Sequence, residues 1–169
     1  KECDWSSDVC SSDLSGSAVM EGGSFAWINP RTCVIGCGIR VNREGAAQVG
    51  EVLKRQGVDL IVIDLVGYDI HIDGSFQMVD RDLALVDPFG LPYSFLEKLK
   101  ELKVRTIEIT PADNKWIINS LAVAPGELIM PEGATNRTLD LMASHGLTWT
   151  ILPYDRMRSE EHTSELQSH

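Results

Sequence analysis

The chain has 169 residues, 43% hydrophobic and 24% charged, enough for one globular domain of ordinary size. Its formal charge of −10 argues against a nucleic-acid partner, which needs a basic footprint. No apolar run approaches the roughly 18 residues of a membrane span. The opening KECDWSSDVC lacks the basic and hydrophobic regions of a secretory signal, so a cytoplasmic protein without membrane partners is expected.

The two ends read as foreign. Residues 158 to 168, RSEEHTSELQS, and residues 4 to 14, DWSSDVCSSDL, translate opposite strands of one DNA string that resembles a common short-read sequencing adapter. Tails 1–14 and 158–169 are therefore expected to be artefacts, leaving 15–157 as a partial domain cut at both ends. The tails hold two basic and seven acidic residues, so half of the net charge belongs to them. Setting Cys3 and Cys10 aside leaves Cys33 and Cys37 in TCVIGCGI. In an extended strand they lie about 13 Å apart, whereas a disulfide needs Cα atoms within about 7 Å. No zinc-type spacing accompanies them, and they read as small buried hydrophobes in a reducing compartment.

Taken in chain order, the elements repeat. SFAWIN, the turn PRT, CVIGCGI, the helical REGAAQVGEVLKRQG and VDLIVIDLV form a first set. SFQMV, DRD, LALVDP, PYSFLEKLKEL and KVRTIEIT form a second, and NSLAVA, PGE, LIMPEG, TNRTLDLMASHG and LTWTILP a third. Each reads strand, tight turn, strand, helix, strand, over about 24–66, 74–109 and 118–152. Asn29-Pro30, Asp80-Arg81 and Pro125-Gly126 supply the turn chemistry. Ala47, Val52 and Leu53, then Phe95, Leu96 and Leu99, then Leu139, Leu141 and Met142 are the expected apolar helix faces. Asn42 and Thr135 are suited to N-caps, and Gly57 and Gly146 to helix ends. Such units cannot bury a sheet and a helix face alone, so they pack round an axis or stack, and more of them are expected in the parent.

The segment before the second set reads DIHIDGSF. In extended backbone His71 and Asp73 share a face, with Ile70 and Ile72 turned away. Glu21 in MEGGSF holds the corresponding place before the first set, so polar groups at equivalent mouths would converge. A plain polar pair at a strand mouth remains open. An iron triad with His145 fits less well, because that histidine precedes a helix-ending glycine and three helices do not suit a jelly roll. Trp27, Trp116 and Trp149 read as core ahead of ligand platform, and Asn119 opens the third mouth with even claims to pocket and surface.

Together, MEGGSFAWINPRTCVIGCGIRVNREG, DIHIDGSFQMVDRDLALVDP and NSLAVAPGELIMPEG resemble the guanidino-modifying (pentein) superfamily, which includes arginine deiminases, dimethylarginine dimethylaminohydrolases and glycine amidinotransferases. The resemblance spans essentially 15–157. It implies an α/β fold, a five-bladed propeller of ββαβ units, with about three present. It implies chemistry without metal or organic cofactor, in which a cysteine thiolate attacks a guanidinium held by carboxylates. On that resemblance His71 is the general acid/base, Asp73 a guanidinium-holding carboxylate, and Glu21 the first acidic position. Arg40 matches the arginine that binds a substrate α-carboxylate, and Ser24 stands at a further substrate contact; Asn119 joins them as a candidate contact by its place at the third mouth, not by the resemblance. Ser24 departs from the aspartate of many relatives.

The nucleophile is expected beyond the third unit, in a glycine-rich stretch ending His-Cys, where here LPYDRM meets the tail. Cys33 and Cys37 precede the histidine and cannot replace it. The chain is thus expected to be an inactive fragment of an arginine deiminase or dimethylargininase type hydrolase, with an arginine-like small molecule as partner and homo-oligomers compatible with it. An amidinotransferase and a non-catalytic guanidino-binding relative are the alternatives. Reading the source DNA past Met157 tests this: the expected result is an open frame leading to His-Cys, and a frame without that cysteine overturns the enzyme reading.

Overall fold

The computed structural model describes residues 14–153. The readings of both tails, of Cys3 and Cys10, and of the domain end at Met157 lie outside the described residues. Among the described residues there are three α-helices and nine strands; the strands form three separate three-stranded sheets, none of them closed. Among them no helix is long and apolar enough to cross a membrane.

The first sheet comprises β1 (Phe25–Asn29), β2 (Thr32–Cys37) and β3 (Asp59–Asp64), with α1 (Arg43–Arg55) between the last two. The second comprises β4 (Phe76–Asp80), β5 (Leu83–Val86) and β6 (Arg105–Glu108), with α2 (Tyr93–Glu101). The third comprises β7 (Leu121–Ala124), β8 (Glu127–Pro131) and β9 (Thr148–Leu152), with α3 (Asn136–Ser144). In every sheet the first pair is antiparallel and the second parallel. The antiparallel pairs close in tight turns, where Asn29 Oδ1 accepts from the Arg31 amide at 2.9 Å and Asp80 Oδ1 from Arg81 at 2.7 Å. The parallel pairs need a helical crossover, because parallel strands cannot be joined by a short hairpin.

Helix caps follow the sequence. Asn42 Oδ1 accepts from Gly45 N at 2.8 Å, and Thr135 Oγ1 from Thr138 N at 3.4 Å. Gly57 and Gly146 end α1 and α3 with φ of +72° and +80°. Lys103 takes the equivalent left-handed place after α2 at φ 60°, a conformation that strains a residue bearing a Cβ. The apolar face of α1 differs from expectation. Ala47 and Val52 are exposed, while Gly45, Ala46 and Leu53 turn inward. The cause is Gly45, where an added Cβ would meet the Val19 carbonyl oxygen at 2.2 Å. Residues 17–19 thus lie directly on the helix, further tied by Asn42, whose Nδ2 donates to Ser17 O at 2.7 Å.

The units stack through matched positions. Ile28, Val34 and Ile63 of the first sheet pack on Phe76, Ala84, Val86, Phe95 and Leu99 of the second unit. Phe76 and Phe95 meet edge to face at 5.2 Å. Val79, Leu85 and Ile107 of the second sheet pack in turn on Leu128, Met130 and Met142 of the third unit. The corresponding face of the third sheet leaves Leu121, Val123 and Leu152 exposed at 62%, 53% and 43%. Trp27, expected in the core, is 48% exposed beside Phe25, whereas Trp149 packs against the third unit's core.

A buried carboxylate holds the loop between β6 and β7. Asp113 accepts from the Thr110 amide and hydroxyl at 2.8 Å, the Thr135 amide at 2.6 Å and the Thr138 hydroxyl at 3.0 Å. Burial opposes its ionisation, but the amides of Thr135 and Thr110 and the neighbouring hydroxyls outweigh that and hold it well below the usual carboxylate range. Because the folded state binds this proton more weakly than the unfolded state, the stabilisation is complete above the ordinary aspartate pKa and disappears as pH falls. We therefore expect Asp113→Asn to cost on the order of 2 kcal/mol in urea denaturation at pH 7. The difference from wild type should shrink steadily below about pH 4.

Candidate functional site

The unit mouths surround a cleft of about 570 Å³. Of the residues singled out from sequence, Glu21, Arg40, His71, Asp73 and Asn119 line it. Ser24 does not: it is fully buried beneath the cleft, and its hydroxyl donates to Ile70 O at 3.3 Å. The serine thus ties the mouth of the first unit to that of the second.

The DIHIDGSF segment is not the strand its alternation suggested. Ile72–Gly74 forms a 3-10 turn, with His71 extended in front of it. Ile72 drops into the core at 0% exposure, while Ile70 borders the cleft. His71 and Asp73 still reach the same cleft, because the turn keeps both near its rim. A matching 3-10 turn, Gly22–Ser24, follows Glu21. Glu21 and His71 hold the N-cap positions of their turns, and neither side chain makes a capping bond. Their polar groups meet instead, with His71 Nε2 donating to Glu21 Oε2 at 2.6 Å. Arg40 Nη1 reaches the other oxygen of Glu21 at 3.4 Å, a looser contact.

Gly23 makes this approach possible. A Cβ there would lie 2.8 Å from His71 Cγ and Nδ1 and 2.9 Å from Asp73 Oδ2. The imidazole and carboxylate therefore pack directly on bare backbone.

Of the other wall, sequence reading weighed only Trp116, as core ahead of ligand platform. Tyr68, Asp69, Lys115 and Trp116 also line the cleft. Asp69 accepts from the Ser75 hydroxyl at 3.0 Å and from Lys115 Nζ at 2.9 Å. Lys115 lies 3.6 Å from Asp87 as well. Trp116 is 40% exposed rather than core. Asp69 continues the alternation of His71 and Asp73, a signal present in the sequence. Lys115 and Trp116 carried a positional one, because Asn114 caps the third 3-10 turn (Lys115–Ile117) as Glu21 and His71 precede the first two.

Neither described cysteine fits a nucleophile. Cys33 and Cys37 are free and buried on β2, away from the cleft lining. Burial, with Asp59 adding to it, pushes the Cys33 thiol up to about 11, and burial likewise raises Cys37. His145 caps α3, its Nδ1 donating to Leu141 O at 2.9 Å, and takes no part in the cleft. No group of three or more potential metal ligands occurs among the described residues.

No protein-family model and no curated protein sequence matches the chain. Solved structures match its fold. Dimethylarginine dimethylaminohydrolase from Pseudomonas aeruginosa, a cysteine-to-serine mutant complexed with citrulline, superposes with a TM-score of 0.70. The identity is 21%, over 86% of this chain and 53% of that one. The chain shares the fold of that structure. The N-terminal domain of ArgZ, an arginine dihydrolase from the ornithine-ammonia cycle in cyanobacteria, matches in its product-bound form at TM-score 0.72. There the identity is 16%, over 85% of this chain and 53% of that one. SxtG, an amidinotransferase from Microseira wollei in the saxitoxin biosynthetic pathway, matches at TM-score 0.65 and 14% identity over 78% of this chain and 39% of its own. The chain spans about half the length of the first two structures.

Within this fold, Gly23 offers a direct test of the packing at the cleft. Gly23→Ala should lower unfolding free energy by about 1–3 kcal/mol and shift the His71 imidazole signals in long-range 1H–15N spectra. Gly22→Ala, whose Cβ would meet nothing within 4 Å, should leave both unchanged.

Proposed function

We propose that this chain is the guanidino-binding part of a hydrolase that cleaves the guanidino C–N bond of arginine or a methylated arginine. The observation that carries the reading is the 2.6 Å bond between His71 and Glu21, with Asp73 beside the same imidazole in one cleft. A carboxylate-anchored imidazole is a proton shuttle, and a neighbouring carboxylate is the natural partner of a planar cation.

The chemistry runs in two displacements. A cysteine thiolate supplied by the remainder of the parent enzyme adds to the guanidino carbon, while Asp73 holds the guanidinium in line. The C–N bond to the departing amine breaks as His71 gives that nitrogen a proton. Water then adds to the amidino carbon, His71 takes its proton, and the carbon–sulfur bond breaks to restore the thiolate. Arginine and water become citrulline and ammonia. Since Nε2 is engaged by Glu21, Nδ1 is the nitrogen that exchanges the proton, and the Glu21 carboxylate steadies the imidazolium. Arg40 binds the α-carboxylate by releasing its loose contact with Glu21, Asn119 contacts the ligand from the third mouth, and Ser24 holds the rim beneath it.

The thiolate and imidazole supply this chemistry without a metal or organic cofactor. A persistent free thiolate suits the cytoplasm. The unit order fits a five-bladed propeller in the parent, about three of whose units are here, and the open face of the third sheet suits association between copies. An amidinotransferase would use the same groups but let an amine take the amidino carbon. A binding relative would keep the grip without the nucleophile.

The full chain is expected to bind L-arginine in calorimetry and to release no citrulline. Asp73→Asn should weaken binding roughly tenfold or more. Absence of arginine binding would overturn the reading of the cleft, and citrulline release would overturn the assignment of the nucleophile to the rest of the parent.

A further inference from the structure

Trp116 stands out in its turn. Its neighbours Ile117 and Ile118 are fully buried, whereas Trp116 is 40% exposed in the lining of the cleft. A large aromatic left there gives up burial that the adjacent positions obtain.

The turn that presents it is held from several directions. Asn114 Oδ1 accepts from the Trp116 amide at 3.2 Å, and Asn114 Nδ2 donates to Glu132 O at 2.9 Å. Asn114 N donates to Gly133 O at 2.8 Å, where a Cβ on Gly133 would sit 2.5 Å from that of Asn114. Lys115 extends to Asp69, in the segment between the first two units, and to Asp87 of the second unit. Holding a half-exposed lysine between two carboxylates costs rotamer freedom and adds little stability. Its physical effect is placement, because it ties the residue beside Trp116 to Asp69 in the same wall and to Asp87 behind it.

We propose that Trp116 is the specificity-determining wall of the cleft, stacking on the planar cationic head group of an alkylguanidine, and that Lys115 is its positioning residue. This rests on the guanidino reading of the cleft. An indole face attracts any cation, but a flat delocalised guanidinium stacks on it where a strongly hydrated ammonium does not. The wall therefore discriminates arginine-like ligands from lysine-like ligands of similar length and charge.

The test is calorimetric titration of the full 169-residue chain with L-arginine and with L-lysine. Trp116→Leu, which keeps apolar bulk without the π face, should weaken arginine binding roughly tenfold and lower the arginine-to-lysine ratio, while Trp116→Phe should stay within about threefold. Lys115→Met should lower the same ratio by about threefold and shift the Trp116 emission. Arginine affinity and ratio unchanged in Trp116→Leu would overturn the proposal. If Asp73→Asn loses arginine while Trp116→Leu keeps it, the wall falls and the cleft reading survives. If wild type binds no arginine, both fall.

Discussion

The placement of the cleft depends on strand direction. In each unit the first strand runs antiparallel to the second, and the third runs parallel to the second. The start of the first strand and the ends of the other two consequently share one edge of the sheet. Glu21 precedes β1, Arg40 follows β2, Tyr68 and Asp69 follow β3, and Lys115 and Trp116 precede β7. All of them emerge at that edge. Connectivity collects the polar groups, and the ion pairs only trim their final positions. The Glu21–His71 bond joins the first unit to the second, and Lys115–Asp69 joins the second mouth to the third.

Much of the fold was legible because its signals are local. Turn pairs such as Asn29-Pro30, the cap at Asn42 and the left-handed glycines at 57 and 146 each act within a few residues. What depends on distant packing was harder to read. The inward face of α1 follows the contact of Gly45 with Val19, which rotates Val52 outward in a way no helical periodicity encodes. The alternation in DIHIDGSF suggested a strand, yet the chain bends into a 3-10 turn at Ile72.

The candidate site was legible in part for a related reason. His71, Asp73 and Glu21 stand out by residue type, and the echo between MEGGSF and DIHIDGSF places them at matching mouths. Ser24 has the right address but the wrong direction, since its hydroxyl points beneath the rim. Trp116 looked like core because aromatic residues beside isoleucines usually are. Its exposure is set by the anchoring of Asn114 and Lys115, whose partners lie at Glu132, Gly133, Asp69 and Asp87.

The two junctions between units are built from different materials. The first is filled by the edge-to-face pair Phe76 and Phe95, rigid rings with few rotamers. The second relies on Met130 and Met142, unbranched side chains that are both fully buried. Thioethers adapt their shape easily and gain a polar oxygen on oxidation. The second junction is thus the compliant and oxidation-sensitive one. Because it carries the wall bearing Lys115 and Trp116, peroxide that reached those sulfurs would loosen one side of the cleft while the Glu21–His71 side kept its shape.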